Sequence, residues 1–255
     1  MKTLLLEEMT SLQLRQAIED GFTTIIVAAG STEQHGKHLP LGTDAMDGIM
    51  VSVQIAEGLG HTLVAPIIRP GCSDHHMPFA GTITISSDLL KEIARAYCRC
   101  LSQHGFKRIV LLATHGGNIE PLAEVAKELD AELPCKVVSP LILGHPKSEE
   151  AIAPVLWKYG ITHDEGGIHS GFVETAEMLA SPYYPLIQME YAQRGFVGDA
   201  FAAIDKVKKD GHWTMTDLSP IGVLGDPTKA TVQAGRELIA ASVPAYVEIA
   251  AEALG

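Results

Sequence analysis

The spacing of apolar side chains divides the chain into short, alternating elements. Residues 12–20 have the spacing of a short helix, closed by Gly21. Residues 23–29 (TTIIVAA) form a compact β-branched run, the mark of a strand buried on both faces. A Gly-Ser-Thr loop follows, and a polar segment runs to Asp44 before helical spacing resumes over 45–59. Residues 63–66 read as a short second strand. The clearest helix spans 88–104, where Leu90, Ile93, Ala94, Tyr97, Cys98 and Leu101 make one apolar stripe. Ser87 is positioned to cap its start and Gly105 to end it. Residues 108–113 (RIVLLA) predict another buried strand, and 120–129 a helix. A strand begins at Val137 and Val138, residues 170–179 are helical, and a last helix from Thr228 onward carries Pro244, where a kink is expected.

Strand and helix patterns alternate across short connections. That predicts an α/β fold, a single three-layer α/β/α domain over residues 1–255 with a largely parallel sheet. The chain has no dinucleotide glycine fingerprint, no Walker loop and no G-x-S-x-G elbow.

Charge narrows the partners. The formal net charge of −12 argues against a nucleic-acid binder, which displays a basic face. Clustered metal-ligating carboxylates would contribute to that charge, although an ordinary acidic surface fits it equally. Cys98 and Cys100 sit two apart on a helical stretch, so they point to opposite sides, and Cys72 and Cys135 complete no disulfide framework. Acidic residues follow the first leucines too soon for a signal-peptide core, and no apolar run reaches membrane-spanning length. The expected location is cytoplasmic.

In open parallel sheets, ligands bind beyond the carboxyl ends of the strands. Here two such ends are rich in metal-binding side chains. The first strand runs into Gly30-Ser31-Thr32-Glu33-Gln34-His35, with Asp44 soon after, and 108–113 runs into Thr114-His115-Gly116-Gly117-Asn118. In an extended segment Glu33 and His35 face the same side. Two carboxylates and two imidazoles would then converge, a mixed N/O set suited to zinc, manganese or iron. Taken singly, a Glu-x-His is as readily solvated surface, and His-Gly-Gly-Asn only a turn. A third cluster, residues 165–175, brings His169 and Glu174 together with three glycines; alone it reads as a helix entry with a flexible loop. Cys72, His75 and His76 do not predict structural zinc, which takes a second ligand pair at matching spacing.

Together these segments resemble the creatininase (creatinine amidohydrolase) family. The matching stretches are Gly30 through Gly36 continuing to Asp44, Ser73 through Thr82, His115-Gly116-Gly117-Asn118, His169-x-Gly171-x-x-Glu174-Thr175, and Gly222 through Pro227. The resemblance implies a homo-oligomer, often a homohexamer, with a two-metal centre that hydrolyses cyclic or otherwise unusual amide bonds. Carried over, Glu33 and His115 would hold one metal, His35 the other, and Asp44 would bridge them. Creatininase itself has a ligand glutamate where this chain has Gly117, and Glu174 is expected to fill that place. Creatininase also packs a tryptophan on creatinine near its last glycine-rich motif; residues 162–168 hold none, and Trp157 lies further back. Lys37 and Ala80 replace the prolines commonest in the family.

The expected chemistry is attack on a small amide, lactam or formamide by a water that two cations sharing Asp44 acidify. His169 is the candidate proton donor to the leaving nitrogen, a structural histidine being the alternative. The Gly166 and Gly167 backbone is the candidate oxyanion support. Trimming of a short modified peptide, or metal binding without turnover, are the competing functions.

Overall fold

Residue alternation within two strands decides the layering. In β1 (Thr24–Ala29) and β3 (Arg108–Ala113), successive side chains point to opposite sheet faces. Ile25, Val27, Ile109 and Leu111 pack with Leu90 and Cys98 of α3 (Ser87–Gln103) and Leu122 and Leu129 of α4 (Ile119–Glu132). Ile26, Ala28, Val110 and Leu112 pack instead with Ile55 of α2 (Thr43–Leu59) and Ile249 of α9 (Val232–Leu254). The sheet is therefore the middle of three layers, as the alternating pattern predicts. Truncating one of these wholly buried side chains, such as Leu111, removes about 2–5 kcal/mol.

This computed structural model describes residues 2–209 and 211–255. Its sheet is parallel throughout, in the order β2-β1-β3-β4, with β2 at Thr62–Val64 and β4 at Lys136–Val138. The register pairs Ala29 with Ala113, so β1 and β3 end level. Gly30 and Thr114 consequently leave the carboxyl edge side by side, and the two chemistry-bearing loops start together. On one outer surface Lys91–Glu124, Arg95–Glu128 and Arg99–Glu132 form three ion-pair rungs between α3 and α4. Such exposed pairs contribute at most about 1 kcal/mol each.

The helix boundaries differ from the pattern in instructive ways. Ser86, not Ser87, caps α3, because its side chain is the one that accepts the Leu89 N–H. Helix α1 (Ser11–Glu19) opens on a capping box between Thr10 and Gln13. Helix α2 starts two residues earlier than its apolar spacing suggests, which puts Asp44 in its first turn. The last helix begins at Val232 behind a Thr231 cap and continues through Pro244; residues 227–229 are a separate turn. Three helices bury few residues and are not predicted. They are α5 (Pro146–Lys158), which contains Pro154, the short α6 (His163–Gly166), and α8 (Ala200–Val207), which buries only Ala200. Helix α7 (Phe172–Leu179) packs with α5 and α9 around Phe172 and Leu238. All four cysteines are free, Cys98 buried and Cys100 exposed. No described helix is long and apolar enough to cross a membrane.

Candidate metal centre

Three loops meet above the level ends of β1 and β3, and Asn118 holds them together. Its amide nitrogen donates to the carbonyls of Ala29 (3.1 Å) and Gly30 (2.9 Å), and its oxygen accepts the Cys72 N–H (3.0 Å). The His-Gly-Gly-Asn turn therefore fixes the loop after β1, the loop through residue 72 and its own loop in one arrangement. Above this junction lie Glu33 and His35 from the first loop, Asp44 from the first turn of α2, His115 from the β3 loop, and Glu174 from the start of α7. Glu33 and His35 are wholly buried, and Asp44 and His115 nearly so.

The side chains form three overlapping triads, one of Glu33, His35 and His169 and two that are joined through one carboxylate. Of those two, Glu33, Asp44 and His115 make one, and His35, Asp44 and Glu174 the other. His115 Nδ1 lies 3.3 Å from both Glu33 Oε1 and Asp44 Oδ2. His35 Nε2 lies 3.0 Å from Asp44 Oδ1 and 3.3 Å from Glu174 Oε1. The two oxygens of Asp44 thus face different imidazoles.

Backbone carbonyls fix which nitrogen of each imidazole faces inward. His115 Nε2 donates to the Cys72 carbonyl at 2.9 Å, and His35 Nδ1 to that of Glu33 at 3.2 Å. Each ring then turns its other nitrogen toward the carboxylates, the arrangement by which metal-ligating histidines are oriented. With only protons to share, the cluster behaves as a buried salt bridge. Burial opposes charge on His115, but Asp44 and Glu33 outweigh it and raise its pKa to about 10. Burial likewise opposes charge on His35, and Glu174 and Asp44 raise its pKa well above the usual value. Burial would push Asp44 up, yet His35 and His115 hold it well below the ordinary carboxylate range.

The donor set fits divalent cations. Both oxygens of Glu33 and Oδ2 of Asp44 are buried without a hydrogen-bond partner, a cost that bound cations would remove. Carboxylate and imidazole together suit zinc, manganese or iron. Gly117 is closely packed. A Cβ there would lie 2.1 Å from the Cys72 carbonyl oxygen and 2.7 Å from His115 Nε2, so no side chain fits at this position. Glu174 reaches the cluster from the first turn of α7. The Ser170 N–H donates to its Oε2 at 2.5 Å and leaves Oε1 facing His35. To do so Ser170 takes a left-handed backbone (φ 55°), costly for a non-glycine residue.

His169 also reaches the cluster, with Nδ1 3.7 Å from Glu33 Oε1 and Nε2 donating to the Gln34 carbonyl at 2.9 Å. Burial and the neighbouring His35 hold its pKa well below normal, so it is neutral and turns a lone pair inward. The expectation for Gly166 and Gly167 requires correction. Their N–H groups donate to the Thr162 and His163 carbonyls inside α6 and are not free to support an oxyanion. Sequence reasoning also passed over His76. Looking for structural zinc, it sought a second ligand pair, whereas buried His76 stands beside Glu33 with Nε2 3.3 Å from Oε1. His75 stacks over His115 at 5.8 Å and meets Trp213 at 5.0 Å, forming an aromatic wall that no spacing in the sequence announces.

The protein is thus of the parallel α/β class, with a buried carboxylate–imidazole cluster at the carboxyl edge of its sheet. The family model for creatininase (creatinine amidohydrolase) matches residues 7–250, and the chain belongs to that family. It is 31% identical over 229 residues to a mycofactocin precursor peptide peptidase of Mycobacterium ulcerans (strain Agy99), covering 86% of this chain and 81% of that protein. A crystal structure of creatinine amidohydrolase superposes with a TM-score of 0.77 at 21% identity, covering all of both chains. A manganese form of creatininase gives 0.77 at 20% identity over 98% of each. These two establish the fold.

Proposed function

We propose that this chain, acting as one domain over residues 1–255, is a metal-dependent amidohydrolase that cleaves an amide C–N bond in a small substrate. Its cluster would hold two divalent cations, zinc, manganese or iron. Glu33 and His115 would hold one, His35 and Glu174 the other, and Asp44 would be shared between them. The observation that carries this reading is the splitting of Asp44, whose two oxygens face two different imidazoles at 3.0 and 3.3 Å. When bound, the cations supply Lewis acidity, lowering the pKa of a water and polarising the amide carbonyl.

The chain's own residues then move the proton. His169 is neutral with Nδ1 unprotonated, so it first accepts the proton of the attacking water. As an imidazolium it passes that proton to the leaving nitrogen, which departs as a neutral amine. The Gln34 carbonyl holds the far side of the ring throughout. His169 is thus a proton shuttle, and its donor role follows its acceptor role.

A second substrate reading is favoured by two observations. The first is the identity to a peptide-trimming relative. The second is a cavity of about 270 Å³ lined by Gly167, Ile168 and Leu224, which flank or pair with His169, together with Phe196 and Phe201. A side chain of a short peptide would fit a cavity of this size. Assaying metal-loaded protein against lactams, formamides and short peptides separates the readings, and no turnover on any of them would favour a metal-binding protein without catalysis. Exposed Leu41, Met77 and Ile83 support assembly into a homo-oligomer, a hexamer, which its mass by light scattering tests. Four unpaired thiols fit a reducing, cytoplasmic setting.

A further inference from the structure

Gln34 lies between two imidazoles, and every group on it has a partner. Its side-chain oxygen accepts the Gly36 N–H at 2.9 Å, and its side-chain nitrogen donates to the Gly222 carbonyl at 3.1 Å. These two backbone partners fix the orientation of the amide, since an N–H can only donate and a carbonyl can only accept. The same nitrogen has one proton left. It stands 2.8 Å from His76 Nδ1 and 3.1 Å from His169 Nε2. His169 Nε2 faces the Gln34 backbone carbonyl at 2.9 Å, so it carries a hydrogen itself and cannot accept. The remaining amide proton therefore goes to His76 Nδ1.

The consequence runs through both rings. With Nδ1 accepting, His76 carries its proton on Nε2, the atom 3.3 Å from Glu33 Oε1. With Nε2 donating, His169 turns the lone pair of Nδ1 toward the same carboxylate. His76 and His169 lie with ring centres 4.6 Å apart and planes tilted by 50°, yet they present opposite hydrogen-bonding faces to Glu33. Space for this hub comes from Gly222, where a Cβ would lie 2.0 Å from the Gln34 side-chain oxygen and leave the amide no room.

We propose that Gln34 is a positioning residue that sets the tautomers of two active-site histidines, with its side chain making His76 an N–H donor toward Glu33 and its backbone carbonyl making His169 a proton acceptor. The His76 proton then faces Glu33, whose oxygens are wholly buried. The inference rests on the amidohydrolase reading only for its consequence in turnover, because the tautomers are a property of the metal-free chain.

The test is a long-range proton–nitrogen correlation spectrum of histidine-labelled, metal-free protein, which distinguishes Nε2–H from Nδ1–H rings. His76→Gln and His169→Ala identify the two signals by their loss. In the wild type both rings are expected in the Nε2–H form. Gln34→Glu replaces the donor with a carboxylate that can only accept, so His76 should switch to Nδ1–H. His169 should stay Nε2–H, because its partner is the main chain. A general loosening of the loop would disturb both rings together, so the selective switch is what marks a positioning role. A wild-type His76 in the Nδ1–H form overturns the proposal and needs no variant to fold. So does a folded Gln34→Glu protein in which His76 is unchanged. Failure of every amide substrate would leave these spectra as they are and would reject the amidohydrolase reading alone.

Discussion

His35 Nε2 stands 3.0 Å from Oδ1 of Asp44, the shortest imidazole–carboxylate approach in the buried cluster. The other oxygen of that carboxylate serves His115. If Asp44 joins two cations, replacing it should disturb both. Asp44→Asn is expected to lower bound metal from about two to fewer than one per chain, since an amide is a much weaker ligand for a borderline-hard cation. Elemental analysis beside a melting curve checks this, and full retention of both metals would remove Asp44 as the bridge.

Glu174 should affect one cation only. Glu174→Gln is expected to keep the fold and about one metal per chain, because Glu33 and His115 do not depend on α7. Adding Gly117→Glu should not restore the second metal, given the 2.1 Å approach of a Cβ there to the Cys72 carbonyl oxygen. Restored occupancy in the double variant would show that the β3 loop can yield, against the close packing described above.

His169 separates proton transfer from metal binding. His169→Ala should retain both metals and slow turnover by roughly a hundredfold to ten-thousandfold, the usual worth of a positioned acid–base group. Metal loss in this variant would make His169 a ligand, and the proton shuttle would have to be another residue.

The pH dependence has a definite sign. In the metal-free protein His115 is raised to about 10 and His35 well above normal. Their contribution to stability is fully present below the unfolded histidine value of about 6.5 and is lost as pH rises toward about 10. Cations displace those protons, so their binding strengthens over the same interval. The melting-temperature gap between loaded and metal-free protein should therefore widen from about pH 6.5 to about pH 9. A gap that narrows would contradict the proton-for-metal exchange.

The parallel three-layer fold was legible because β1 and β3 are short β-branched runs buried on both faces, and α3 carries an unbroken apolar stripe. Glu33, His35, Asp44 and His115 were legible because they follow strand ends that the sheet topology brings level. His76 was not, since its place beside Glu33 goes with a contact to the Gln34 amide across 42 residues that no local period encodes. The misreading of Gly166 and Gly167 has the same origin. Glycine spacing suggests close approach of backbone to a ligand, but only the structure reveals that the one-turn helix α6 consumes both N–H groups. Helices α5 and α8 stayed hidden because they present few apolar residues to the interior.

The most direct measurement of the central claim is metal content joined to turnover. Gently purified protein should carry about two divalent transition metals per chain, as two-metal hydrolytic sites do. Chelation should abolish hydrolysis of whichever amide the panel identifies, and zinc or manganese should restore it. Protein that hydrolysed the same amide at full rate with no bound metal would contradict the account.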